Sequence, residues 1–418
     1  MAISQTQVNT QTGIGVIFRS LQYRNYRLFF FGQMLSLIGT WTQQIALPWL
    51  VYRMTGSVFL LGVVGFAGQI PVFIVTPFAG VLTDRWNRYY ILIVTQILLM
   101  VQAFLLTALF FSGRIQVWHV IVLMVFMGLI NAFDMPTRQA FVIAMVDNRE
   151  DLGNAIALNS MMFNSARLIG PSVAGLVIAA TNEGICFLVN GISFVFVIAS
   201  LLMMKINPQE PKSRKSHVLH EMKEGLVYMY GFMPLKYIIL LLALVSLVGM
   251  PYTVLMPVFA GKILGGGPHT FGFLMTAAGI GALAGAIYLA SRKSVWGLER
   301  ILPMATAVFG FGLIAFSLSR QLWLSLPLML ITGLGMIIQI AACNTLIQTM
   351  VEDDKRGRVM SLYVMAFIGT APFGSLLAGT MATHIGAPKT LMIGGVFCVA
   401  GAMLFARKLP QLRHSMRP

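Results

Sequence analysis

Long apolar runs separated by short polar breaks recur along nearly the whole chain, near 28–52, 58–83, 89–112, 116–140, 152–180, 184–205, 235–262, 270–290, 299–318, 322–349, 358–384 and 388–407. Each can form a helix of about 20 residues, enough to cross a hydrocarbon layer roughly 30 Å thick. The pattern predicts an all-α membrane protein with twelve transmembrane helices. Runs such as 91–106 and 238–248 do not alternate between apolar and polar, as the strands of a membrane barrel with a polar lumen would.

The composition agrees. Hydrophobic residues make up 57% and charged residues only 10%, against about a quarter charged in soluble domains. The first twenty residues are polar and lack an apolar stretch followed by a small-residue cleavage site, so they are expected to form an uncleaved tail. The three cysteines, Cys186, Cys343 and Cys398, fall inside apolar runs and are expected to be small buried hydrophobes.

A net charge of +16 could suggest nucleic acid, but the basic residues sort by side. With twelve spans, 23 of the 29 Lys and Arg lie on the face that carries both termini, 5 lie opposite, and Arg167 lies within a span. The positive-inside rule then places both termini in the cytoplasm. The basic excess sets topology against anionic lipid headgroups, and no nucleic-acid partner is expected.

The one long polar break, 206–232, divides the spans six and six and contains an amphipathic stretch from His217 to Tyr230. The expected plan is a tail (1–27), a six-helix bundle (28–205), a linker with a surface helix (206–232), a second bundle (233–408) and a short tail (409–418). The halves are related. Met145-Val146 precedes a charged turn and a span with Gly170 and Gly175; Met350-Val351 precedes Glu352 to Arg356 and a span with Gly374 and Gly379. The offsets are 205 from Met145 to Met350 and 204 from Gly175 to Gly379, so span 5 maps onto span 11 in a parallel repeat.

Polar residues inside spans are costly and point inward. Ser160, Asn164 and Arg167 share one helical face of span 5, and Gln33, Ser36, Thr40 and Gln44 share one face of span 1. With Gln339 and Asn344 of span 10, they are expected to line one cavity, with interhelical hydrogen bonding as the alternative role. Arg167, near midspan, is the foremost substrate residue. A fixed cation without a deep carboxylate beside it suits an anionic substrate.

Between spans 2 and 3 stands Gly80-Val-Leu-Thr-Asp84-Arg85-Trp-Asn-Arg88. This run resembles the signature loop of the major facilitator superfamily of secondary transporters. The resemblance implies that Asp84 caps span 11 near 357–360, and that Arg85 or Arg88 meets Asp134 of span 4. Together they would latch the halves with the cavity facing outward. The second half's counterpart, Ser291-Arg292-Lys293, keeps the bases and lacks the acid. In span 5, Ser165-Ala-Arg167-Leu-Ile-Gly170-Pro171-Ser-Val-Ala-Gly175 resembles the antiporter motif of exporter branches, with Ala166 at a position where the family has glycine. Over about 28–407 the chain is similar to the drug:proton antiporter group that includes the enterobactin exporter and macrolide efflux proteins.

That resemblance implies proton-coupled efflux of a siderophore or amphipathic drug-like compound, with a role in multidrug resistance, across the bacterial inner membrane. No phosphate-binding loop occurs, so transport is expected to be driven by an ion gradient or by the substrate's own gradient, without a cofactor; the resemblance points to the proton gradient. The histidines are scattered with no metal-ligand spacing and no nucleophile motif, so neither a metal nor catalysis is expected. The chain is expected to act as a monomer in the lipid bilayer. Two alternatives are lysophospholipid movement and a non-transporting scaffold or sensor. Asp84→Asn should impair turnover more than substrate binding; lost binding with normal conformational exchange would break the latch assignment.

Overall fold

A computed structural model describes residues 18–142, 145–146, 148–205, 224, 227–292 and 294–416. Its helices are α1 (Arg24–Thr55), α2 (Val58–Arg85), α3 (Arg88–Phe111), α4 (Val117–Val142), α5 (Leu152–Ala180) and α6 (Glu183–Leu202). There follow α7 (Met233–Ile263), α8 (Pro268–Ala290), α9 (Leu298–Leu318), α10 (Leu322–Met350), α11 (Lys355–Ile385) and α12 (Ala387–Met416). Local chemistry sets the boundaries. Gly56, at φ 62°, closes α1 in a left-handed turn, and the next residue, Ser57, accepts the Leu60 N–H at 3.3 Å to open α2. Asn87 and Asn182 cap α3 and α6 the same way.

Eleven helices among the described residues are long and apolar enough to cross a membrane. The first span expected from the sequence falls on α1. Its 32 residues extend about 48 Å, but Gln33, Ser36, Thr40, Thr42, Gln43 and Gln44 interrupt its apolar character.

Within the first half, α1 packs on α5 and α6, α2 on α4, and α3 on α4 and α6. The second half repeats the plan: α7 packs on α11 and α12, α8 on α10, and α9 on α10 and α12. Between the halves the main contacts are α5 with α8 and α2 with α11. Both are made by glycine pairs. A methyl group added to Gly272 would lie 2.6 Å from the Pro171 carbonyl oxygen and 3.0 Å from Gly175 Cα; one added to Gly62 would lie 2.7 Å from the Ser375 oxygen and 3.0 Å from Gly379 Cα. The backbones therefore touch directly, as small residues permit in membrane bundles.

Both crossings lie far from the face that carries the chain ends. Toward that face α5 and α8 part. Met161 and Ala157 on α5, with Leu283, Ile287 and Ala290 on α8, continue the packed sides of these helices and are exposed. The halves form a V, closed at the face opposite the termini.

The linker reading of 206–232 falls mostly outside the described residues. At its end, Met229 is buried against Leu235, Val351 and Val359 of the second half. Each half also has a strap at the termini face. In the first, Arg19 Nε lies 2.7 Å from Asp151, and Gln22 and Tyr23 donate to the same carboxylate at 3.2 and 2.7 Å. That bond and the nearby charge raise the Tyr23 pKa above the usual tyrosine value. In the second, Glu224 pairs with Arg358 at 2.9 Å, and the Lys355 ammonium sits 4.9 Å from the Tyr228 ring centroid.

Gly272→Val should weaken the α5–α8 crossing by about 1–3 kcal/mol, the usual cost of overpacking. A lower melting temperature in detergent checks this; no change would show that the crossing has slack.

Candidate functional site

Between the halves, just on the termini side of the glycine crossings, lies a cavity of about 300 Å³. Trp41, Gln43 and Gln44 come from α1, Gln69 from α2, Met124 and Met127 from α4, Arg167 and Pro171 from α5, Tyr252 and Thr253 from α7, and Phe271 and Met275 from α8. Most of the wall is apolar, with amide and hydroxyl groups on the α1, α2 and α7 sides. Among the described residues no Asp or Glu lines it.

The one fixed charge in the wall is Arg167. Its guanidinium lies 5.9 Å from the Trp41 ring centroid. Trp41 is itself held: a methyl on Gly170 would lie 2.4 Å from Trp41 Cβ, and Phe163 meets the indole edge-on at 5.8 Å. Gly170 thus leaves room for the ring on which Arg167 rests. Among the described residues the guanidinium has no carboxylate partner, so its charge is turned to the cavity.

Of the residues singled out from the sequence, Arg167, Gln44 and Pro171 line the cavity. Ser160 and Asn164 lie on the same α5 face but further toward the termini, and the Asn164 amide donates to the Ser160 carbonyl at 2.8 Å. Gly175 belongs to the α8 crossing. Five expected lining residues lie elsewhere, among them Ser36, buried in α1, and Asn344, whose Oδ1 accepts from Gln348 Nε2. Gln33 is buried in α1, the Thr40 hydroxyl is taken by the Ser36 carbonyl at 2.9 Å, and Gln339 is fully buried with its amide 3.6 Å from Cys343 Sγ. The expectation took one polar stripe per helix and assumed that its whole length faces the cavity; the V shape confines the cavity to one level.

Trp41, Gln43, Gln69 and Tyr252 escaped the sequence reading. Gln43 stands seven residues after Ser36, at the edge of the Gln33–Gln44 stripe. Its amide bonds Gln102 at 3.0 Å and receives Asn190 at 2.8 Å, which fixes it against the cavity wall.

The superfamily loop is only partly visible. Gly80, Asp84 and Arg85 end α2, and their details lie outside the described residues; Arg88 begins α3. Asp134 has partners that the sequence reading did not name. It is fully buried, forms an ion pair with Arg138 one turn along α4, and accepts from Thr95 Oγ1 at 2.8 Å and Gln96 Nε2 at 2.7 Å. A desolvated carboxylate draws the nearest donors, and among the described residues all three belong to α3 and α4 of its own bundle. Arg138 Nε is buried with no partner.

The sequence profile of the transmembrane secretion effector family matches residues 17–417. The chain belongs to this family of major facilitator transporters. Along the sequence, the transporter is 25% identical to the staphyloferrin A transporter of Staphylococcus aureus over 91% of this chain and 95% of the relative. It is 23% identical to macrolide efflux protein A of Streptococcus pyogenes (91% and 96% covered) and 25% identical to the multidrug efflux pump Tap of Mycobacterium tuberculosis (93% and 94%). In fold it is similar to a bacterial homologue of the human lysosomal transporter Spinster in an inward-facing, unoccupied conformation, with TM-score 0.75, 13% identity, and 95% and 99% of the two chains covered. The nucleoside transporter NupG gives TM-score 0.71 at 11% identity, with 94% and 99% covered.

Asp134→Asn leaves Arg138 buried without its counter-charge and should cost the transporter about 3 kcal/mol of stability. The apolar pair Asp134→Leu with Arg138→Met should regain most of it. Thermal unfolding of the three proteins checks this; equal melting temperatures would remove the pair from the fold's support.

Proposed function

We propose that this protein is a secondary exporter of anionic, amphipathic small molecules, siderophores or drug-like compounds, across the bacterial inner membrane. The observation that carries this reading is Arg167, a cation resting on Trp41 without a carboxylate partner, in a largely apolar cavity closed on one face only. An anionic group would neutralise Arg167, and the Met and Phe wall would take the apolar body of the substrate. The named functions of the relatives, staphyloferrin A transport and macrolide and multidrug efflux, support the direction and the substrate range.

By the charge asymmetry of the loops, the open termini face is cytoplasmic. The cavity loads there and empties at the other face by alternating access, in a monomer and without catalysis. The energy source is the proton gradient. Asp134 is the coupling carboxylate: its protonation would remove the charge partner of Arg138 and loosen the α3–α4 packing beside α2. Asp84 and Arg85 supply the latch at the α2–α3 loop, with Arg88.

Arg167→Ala should abolish efflux in inverted vesicles while the protein remains folded and inserted. The panel comprises a carboxylate siderophore, a macrolide and a lysolipid, each with and without a proton gradient. Unchanged efflux would remove Arg167 from the site, and efflux indifferent to the gradient would end the antiport reading.

A further inference from the structure

The cavity wall holds more polar groups than its own bundles use. In the first half, the Gln43 amide is spent inside the bundle, donating to Gln102 Oε1 at 3.0 Å and accepting from Asn190 at 2.8 Å. In the second half, the Thr253 hydroxyl donates to the Met250 carbonyl at 3.2 Å, and the Tyr252 hydroxyl to Met336 Sδ at 3.9 Å. Two amides are left. Gln44 on α1 is exposed and Gln69 on α2 is half-buried; both line the cavity, and neither side chain has a partner among the described residues.

These unspent groups stand on one side. Gln44, Gln69 and Arg167 all belong to the first half, whereas the second half faces them with Val254, Phe271, Met275 and Ala278. While the cavity is open at the termini face, water can satisfy both amides. Closure changes that. Water is expelled as the halves meet, and an amide enclosed without a partner bears the full cost of its lost hydration. Leucine at positions 44 and 69 would suit the apolar wall and carry no such cost. The two glutamines therefore penalise closure over a cargo that cannot bond them. Arg167 makes no such distinction, because any anion of the right size answers its charge.

We propose that Gln44 and Gln69 select the cargo: beside its anionic group, the substrate carries a neutral hydrogen-bonding group, an amide or a hydroxyl, and plain hydrophobic anions enter the open cavity but are carried poorly. A site built to hydrogen-bond its substrate rejects an analogue that lacks the bonding group far more strongly than an apolar pocket rejects a wrong shape. The substrate then lies with its polar edge along α1, α2 and α5 and its apolar face against α7 and α8. Selection acts at closure and not at entry, so affinity for the open cavity and rate of transport need not run together.

The inference rests on the exporter reading above, and its test separates the two. The probes are 1-naphthylacetate and its glycine conjugate, 1-naphthylacetylglycine, which differ by one amide between ring and carboxylate. Uptake into energised inverted vesicles is recorded for the wild type, Gln44→Leu and Gln69→Leu, with vesicles lacking the protein as the blank. The wild type should carry the conjugate about tenfold faster or more, the discrimination an unpaired amide supports. In each leucine variant that ratio should fall toward one, in part because naphthylacetate is carried faster, a gain that damaged packing does not produce. A variant that leaves the ratio unchanged removes its glutamine from the selection. A wild-type ratio near one, or a ratio that both variants leave unchanged, overturns the inference and keeps the exporter reading. Uptake of neither probe by the wild type ends the export of anionic amphiphiles, and the selection with it.

Discussion

Two places where one backbone rests on another, Gly62 on Gly379 and Gly175 on Gly272, set the rest of this structure. Lipid tails are as apolar as leucine, so nothing like the hydrophobic effect presses one membrane bundle on another. Contact at close range must supply the attraction, and any side chain at these points would keep the helices apart. Because the crossings lie at one end of the halves, the bundles diverge from there. The cavity lies where divergence begins, and Arg167, Pro171 and Phe271 reach it because they stand within two turns of the crossing.

The buried charges divide into two kinds. Asp134 and Arg138 are answered inside their own bundle, together with Thr95 and Gln96. A desolvated pair of this sort adds little to stability and much to specificity of arrangement, and it holds α3 and α4 in one register. Among the described residues Arg167 has the face of Trp41 and no carboxylate, a contact worth about 0.5–2 kcal/mol, against an insertion cost of about 2.5–3.5 kcal/mol for a midspan cation. In the exporter reading proposed above, an arriving anion would relieve this shortfall.

Much of the fold was legible because a bilayer imposes a simple rule on length and polarity. The runs near 58–83 and 299–318 became α2 and α9 with ends set by Ser57 and the residues around Gly297. The similarity of spans 5 and 11, seen in Gly175 and Gly379, returned as the matched inter-bundle crossings. The site was harder to read. Arg167 stood out because charge within a span is rare, and Gln44 because it fell on a polar stripe. Trp41 and Tyr252 carried no such mark, since an aromatic in an apolar helix looks like packing until Gly170 is seen to make room for the ring. Gln339 misled for the opposite reason, being polar, central and wholly enclosed beside Cys343. Asp134 was picked out as a special acid, but its ion pair with Arg138 was not foreseen, because Arg138 lies a single turn away on the same helix and sequence alone does not rank near cations against distant ones.

The straps have a consequence for where each half begins. Ser20 has no solvent exposure, and Arg19, Gln22 and Tyr23 all converge on Asp151. A boundary drawn at residue 28 therefore cuts through folded protein. The same holds at Glu224 and Tyr228, which grip the start of α11. Anyone dividing the gene to produce the halves as separate polypeptides must cut ahead of residue 224.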